Sequence, residues 1–181
     1  MKSILVLIFI LAISNLSIGQ HTKGFKKIVF AQSPASTEEV DIKYKSGKQK
    51  QVGTLAIYEL NNYVYTFLTG KWINYYKSGQ ILTEAHYDNF GNPITWKMYD
   101  GKGNLLRESK AISIDTDAKD FNEFLKNKNS VNILTYEKKY KYTYKACKWF
   151  LASEGKMLNY KKTGAWKKYF DEGKIKKIVE Y

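Results

Sequence analysis

The sequence predicts a mainly β fold: tandem β-hairpins forming an extended, twisted antiparallel sheet, with one short helical insertion around residues 117–127. Three observations carry that expectation. A tryptophan–tyrosine–glycine spacing recurs along the chain, short β-type runs alternate with turn signals from Val40 onward, and a single stretch switches to helical periodicity.

The first element is an N-terminal segment, residues 1–19, in which Lys2 precedes the apolar run "ILVLIFILAI" and small residues follow up to Gly19. That layout predicts a signal peptide cut ahead of Gln20, and hence an exported chain, periplasmic or extracellular, with no transmembrane span once the segment is removed. Residues 20–39 begin basic and end in a Ser/Pro/Thr-rich stretch, which reads as a leader or linker. Residues 40–181 read as a single β-repeat domain. "VDIKYKSGKQKQV" carries the same "YKSG" as Tyr76 to Gly79 and is a degenerate early copy of the repeat. "GTLAIYELNNYVYTFLTG" reads as two strands joined at "ELNNY", with Tyr63, Tyr65 and Phe67 on one face.

The clear repeats follow over residues 70–108 and 164–181. Trp72 lies seven residues before Gly79 and twelve before Glu84, and Trp96 repeats both offsets to Gly103 and Glu108. Tyr75 and Tyr99 share the third position, and "GAWKKYFDEGKIKKIVEY" repeats the first half with Trp166, Tyr169 and Gly173. Gly79, Gly103 and Gly173 suit left-handed hairpin turns, and the Trp-, Tyr- and Ile-rich arms suit a pleated, half-buried surface. One hairpin is marginal in water, so stacked units should bury Trp72, Tyr75, Trp96, Tyr99, Trp166 and Tyr169 as a repeat core.

Between Ser109 and Leu158 the repeat is divergent. "DTDAKDFNEFLKNKN" has acids in a first helical turn behind Asp115 or Thr116 as cap, and Phe121, Phe124 and Leu125 fall at i, i+3, i+4. "VNILTYEKKYKYTYKACKWFLASEGKMLNY" then reads as two or three strands, with Cys147 a small buried strand residue.

The pattern G-x-W-x-x-Y-x-x-x-G followed by an aliphatic arm resembles the MORN repeat, in the variant form of bacterial antitoxin-like proteins of the YwqK type. The resemblance covers Gly70 to Glu108 and Gly164 to Tyr181, and only weakly Val40 to Gln51. It implies a repeat fold and a non-enzymatic role in binding protein or lipid. The alternative it raises is an antitoxin or immunity-type inhibitor that neutralises a toxin, although an exported chain does not meet a cytoplasmic one.

The chemistry in the sequence is sparse. His21 and His86 are the two histidines and Cys147 the one cysteine, so zinc sites and intramolecular disulfides lack ligands. No serine sits in a nucleophile elbow, and Asp115, Asp117 and Asp120 do not follow a calcium-loop spacing. The sequence therefore points to no cofactor and no metal, with a carboxylate-based enzyme as a remote alternative. The net charge is +13, and losing Lys2 with residues 1–19 leaves +12. That surplus favours an anionic protein or envelope component, with a candidate patch of Lys161, Lys162, Lys167, Lys168, Lys174, Lys176 and Lys177. Arg107 is the only arginine, which argues against specific nucleic-acid recognition.

The export expectation has a direct test. N-terminal sequencing of protein from its native host should find a mature chain beginning at or near Gln20; an intact Met1 on membrane-bound material would contradict it.

Overall fold

The computed structural model describes residues 20–181, so the expected signal segment lies outside the described residues. Among them, ten antiparallel strands form one sheet in which every strand pairs with its neighbours in sequence, β1 to β10. They are β1 (Ser36–Lys43), β2 (Gln49–Leu60), β3 (Tyr63–Tyr75), β4 (Ile81–Tyr87), β5 (Pro93–Tyr99), β6 (Leu105–Thr116), β7 (Val131–Thr143), β8 (Lys148–Leu158), β9 (Lys161–Tyr169) and β10 (Ile175–Glu180). Helix α1 (Lys23–Val29) precedes the sheet and α2 (Phe121–Lys126) interrupts it between β6 and β7. Among the described residues, no helix is long and apolar enough to cross a membrane.

One turn chemistry recurs. In Tyr44–Lys48, Tyr76–Gln80, Asp88–Asn92, Asp100–Asn104 and Phe170–Lys174, the first amide donates to the fifth carbonyl and the fourth amide donates back to the first carbonyl. The fourth residue is Gly47, Gly79, Gly91, Gly103 or Gly173, each with φ between 80° and 97°, a conformation that strains any residue with a Cβ. The β2–β3 and β8–β9 connections are instead two-residue turns, Asn61–Asn62 and Asn159–Tyr160, with positive φ throughout. Cys147 corrects its sequence reading: it is an exposed turn residue at φ 47°, not a buried strand residue. "YKAC" occupies the β7–β8 turn as "YKSG" does two earlier ones, with cysteine where they carry glycine.

Residues 20–39 also depart from expectation, because they are no linker. Thr22 caps α1 by accepting from the Phe25 amide, and Phe25, Ile28 and Val29 form an i, i+3, i+4 stripe. Phe25 is fully buried among Phe90, Ile114 and Phe124, so α1 is part of the hydrophobic core. The α2 insertion forms as its stripe predicts, with Phe124 and Leu125 buried. Its cap is Asp120, not Asp115 or Thr116: Asp120 accepts from the Glu123 amide while Glu123 accepts from the Lys119 amide. Those two bonds start the helix at Phe121, later than the acids alone suggested.

Two tryptophans shape the sheet. The pairs Val52↔Ile73 and Thr54↔Thr69 leave Gly53 facing three residues, Gly70 to Trp72. The pairs Glu154↔Lys167 and Lys156↔Thr163 leave Gly155 facing Gly164 to Trp166 in the same way. Gly70 and Gly164 take φ of 62° and 61°, which turns each tryptophan back over the opposing glycine. The indole N–H of Trp72 then donates to the Thr54 carbonyl at 2.9 Å, and that of Trp166 to the Lys156 carbonyl at 2.8 Å. A methyl group on Gly53 would stand 2.2 Å from the Trp72 ring, and one on Gly155 2.6 Å from Trp166. Trp72 and Trp166 are accordingly 4% and 0% exposed.

Trp96, expected to be buried with them in the repeat core, is not. Ile94 stands where the other two repeats have Gly70 and Gly164, and Trp96 lies opposite Ala85 rather than a glycine. It remains half-exposed.

Chemical denaturation should rank these positions. Trp72→Ala should cost roughly 3–5 kcal/mol. Gly53→Ala should cost toward the upper end of about 1–3 kcal/mol, because the added methyl meets a fixed ring. Gly79→Ala, which meets no neighbour and only strains φ, should cost roughly 1–2 kcal/mol. A Gly53→Ala chain as stable as the parent would contradict the close packing.

Candidate binding surface

Directly opposed residues in an antiparallel sheet share a face, so the register assigns side chains to faces. Trp72, Ala85, Trp96, Ser109, Glu137 and Gly155 are successive cross-strand partners from β3 to β8, and Trp166 lies on Gly155. The next row on this tryptophan face is Asn74, Thr83, Met98, Arg107, Lys139, Ser153, Lys168 and Lys177. Four of the last five residues in that row are cations.

Between the two rows lies a buried carboxylate. Arg107 donates to Glu137 at 2.8 Å, and the Lys139 ammonium lies 3.2 Å from its other oxygen. Both cations also lie over aromatic rings, Arg107 over Trp96 and Lys139 over Trp166, each 5.6 Å from the ring centroid. Glu137 is thus desolvated between two cations, hydrogen-bonded to Arg107 through one oxygen and in ion-pair contact with Lys139 through the other, which accepts no hydrogen bond. Trp96, Arg107, Ser109, Thr135, Glu137 and Met157 line a cleft of about 320 Å³. Farther along, the Lys162 ammonium sits 4.5 Å from the centroids of both Trp166 and Tyr181 and donates to the Tyr181 hydroxyl. That bond, reinforced by nearby Lys168 and Lys177, holds the Tyr181 phenol below its ordinary pKa.

The opposite face has another electrostatic pattern. Ile73, Glu84, Lys97, Glu108, Lys138, Glu154, Lys167 and Ile178 are successive cross-strand partners, a row whose charges alternate in sign. Glu84 pairs with Lys71 at 2.8 Å, and Lys138 lies 3.6 Å from Glu108. Tyr140 and Tyr169 donate to Glu108 and Glu154 at 2.7 and 2.6 Å. Tyr140 is pushed up to about 12, by burial first and then by Glu108; Tyr169 also reaches about 12, chiefly through its bond to Glu154.

The lysines grouped from sequence therefore separate. Lys162, Lys168 and Lys177 join Arg107 and Lys139 on the tryptophan face, whereas Lys167 belongs to the alternating row. Lys176 lies over Phe170, 5.4 Å from its centroid, and Lys161 and Lys174 are exposed at the ends of β9 and β10. Tyr75, Tyr99 and Tyr169 are half-buried. Tyr75 and Tyr99 each accept, on the main-chain carbonyl, a hydroxyl from the preceding hairpin: Tyr44 to Tyr75 and Tyr76 to Tyr99. Sequence reasoning missed Glu137 and the partnership of Gly53 and Gly155 with the tryptophans. The available signal for the latter was a glycine two residues before Trp72 and Trp166 but not before Trp96.

The MORN repeat variant family model matches residues 68–89 and 162–181. The chain carries MORN-variant repeats. The two matched segments hold Trp72 and Trp166, the tryptophans that lie on glycines, and the match stops short of Trp96. The MORN-variant signature in this chain therefore coincides with the tryptophan–glycine contact. Neither a curated protein nor a solved structure matches the chain.

The tyrosine–carboxylate bonds make stability depend on alkaline pH. An unfolded tyrosine ionises near its ordinary pKa of about 10, so between about 10 and 12 the folded state retains protons that the unfolded state releases. This contribution is complete below about pH 10 and lost as the pH rises to about 12. In urea titrations across that window, the Tyr140→Phe/Tyr169→Phe chain should lose stability less steeply than the parent. Lysine titration is common to both chains, so parallel curves would contradict the assignment.

Proposed function

We propose that the chain is an exported, non-enzymatic interaction module that binds an anionic partner surface through its tryptophan face. The observation that carries this reading is the row Arg107, Lys139, Lys168 and Lys177 on successive strands, with only Ser153 intervening. Arg107 and Lys139 share Glu137, but Lys168 and Lys177 are directly opposed like charges, a cost to folding that a bound anion offsets. On the other face each lysine of the alternating row stands opposite a carboxylate, and the lysines outside it, Lys71, Lys110 and Lys156, are separated by uncharged residues and histidine rather than directly opposed. The MORN-variant repeats support a repeat-built surface for partners. Export rests on the composition of residues 1–19, and periplasm and exterior are its two destinations.

Salt elution from an acidic glycan resin such as heparin tests the choice of face. Replacing Lys162, Lys168 and Lys177 by glutamine should lower the eluting salt concentration clearly, because screened surface attraction depends on those charges. Replacing Lys71, Lys110 and Lys156, three lysines assigned by register to the opposite face, removes the same charge and should leave elution nearer that of the parent. Equal shifts for the two triple variants would show net charge alone at work and contradict the proposal.

A further inference from the structure

The two edges of the sheet carry opposite charge. Among the described residues the sheet is open, with β1 paired only to β2 and β10 only to β9. Edge strands present unpaired main-chain donors and acceptors, a template for adding another strand. Neither edge is short or proline-bearing: β1 is eight residues, exposed at every position except Val40, and β10 is six, exposed except at Val179. β1 carries Glu38, Glu39 and Asp41, whereas β10 and the residue before it carry Lys174, Lys176 and Lys177. Ile175 and Ile178 add apolar surface, each more than half exposed.

We propose that a second copy of the chain adds head to tail, β10 of one copy pairing antiparallel with β1 of the next. The inference is independent of the proposed function, because it uses the sheet edges and not the tryptophan face. Three features support it. The strand count of ten is even, so a second copy in the same orientation continues the antiparallel alternation across the junction. A register that sets Lys177 opposite Glu38 also sets Lys176 opposite Glu39, Ile175 opposite Val40, Lys174 opposite Asp41 and Glu172 opposite Lys43. β10 is bulged between Ile175 and Lys177 where it pairs with β9, and the register above is the one in which β10 is regular at the junction. If the bulge is kept, Lys177 still faces Glu38 and Lys176 lies beside Glu39, while Lys174 moves to Val40. Finally, β1 against β1 centred on Val40 would oppose Glu39 to Asp41, so the acids of β1 favour the lysines of β10 over a second β1. A symmetric β10–β10 contact centred on Ile178, with Lys176 opposite Glu180, is the competing arrangement, and it would survive charge reversal of β1. A heterologous contact propagates into rings or filaments and would repeat the cationic tryptophan face along the assembly.

Light scattering at increasing concentration, in roughly 20 mM and roughly 500 mM salt, is the test. The parent should grow beyond the monomer mass at low salt and return to it at high salt. A Lys174→Glu/Lys176→Glu/Lys177→Glu chain and a Glu38→Lys/Glu39→Lys/Asp41→Lys chain should each stay monomeric with a folded circular-dichroism spectrum. Mixed in equal amounts, the two should assemble again, since each restores the complement of the other. Rescue on mixing distinguishes lost complementarity from misfolding. A parent that is monomeric at every concentration, a charge-reversed chain that assembles alone, or folded variants that stay apart on mixing would each overturn the proposal. So would a monomeric parent that instead binds an extended acidic peptide at β10.

Discussion

An indole ring resting on a residue without a side chain is the contact on which the sheet depends. Trp72 on Gly53 and Trp166 on Gly155 each occupy space that a single methyl group would deny them. Each is reached through a left-handed glycine two residues earlier and fixed by an indole–carbonyl hydrogen bond. The consequence is register. At both places one residue of a strand faces three of the next, so the pairing changes by two residues across the contact. Had the Lys156↔Thr163 register continued, Ser153 would face Trp166; instead it faces Lys168. The cationic row is therefore a product of the tryptophan–glycine contact as much as of the lysines.

The two faces use the same residue types to opposite effect. On one, carboxylates and lysines alternate strand by strand and tyrosine hydroxyls donate to Glu108 and Glu154. On the other, a single buried acid, Glu137, is shared by Arg107 and Lys139, and these two and Lys162 lie over aromatic rings. Aromatic faces attract cations without neutralising them. Positive charge on that side is positioned and held, yet still available to a partner.

Hairpins, the aromatic arms and the short helix were legible because each has a local signature: a glycine at a left-handed turn, an alternating run, an i, i+3, i+4 stripe. Gly79, Gly103 and Gly173 were read from their offsets, and each has positive φ. What the sequence hid depended on pairing between distant strands. Gly53 and Gly155 look like ordinary breaks in β runs until the partner strand brings a tryptophan over them. Trp96 shares the spacing of the other two tryptophans but has Ile94 in place of the glycine, a local difference that outweighs the shared period. Helix α1 was missed because seven residues carry too weak a periodic signal to reveal that Phe25 fills the core. The lysines near the C-terminus are close in sequence, but strand alternation divides them between faces.

The central claim is that the ring and the missing side chain are energetically one unit. A double-mutant cycle between Gly53→Ala and Trp72→Ala measures that coupling directly by chemical denaturation. Gly53 does not use a left-handed backbone, so alanine is unfavourable there only because the ring is in the way. In the Trp72→Ala background the cost of Gly53→Ala should vanish, giving a coupling of roughly 1–3 kcal/mol. An alanine at Gly53 that costs the same with and without the tryptophan would contradict the account.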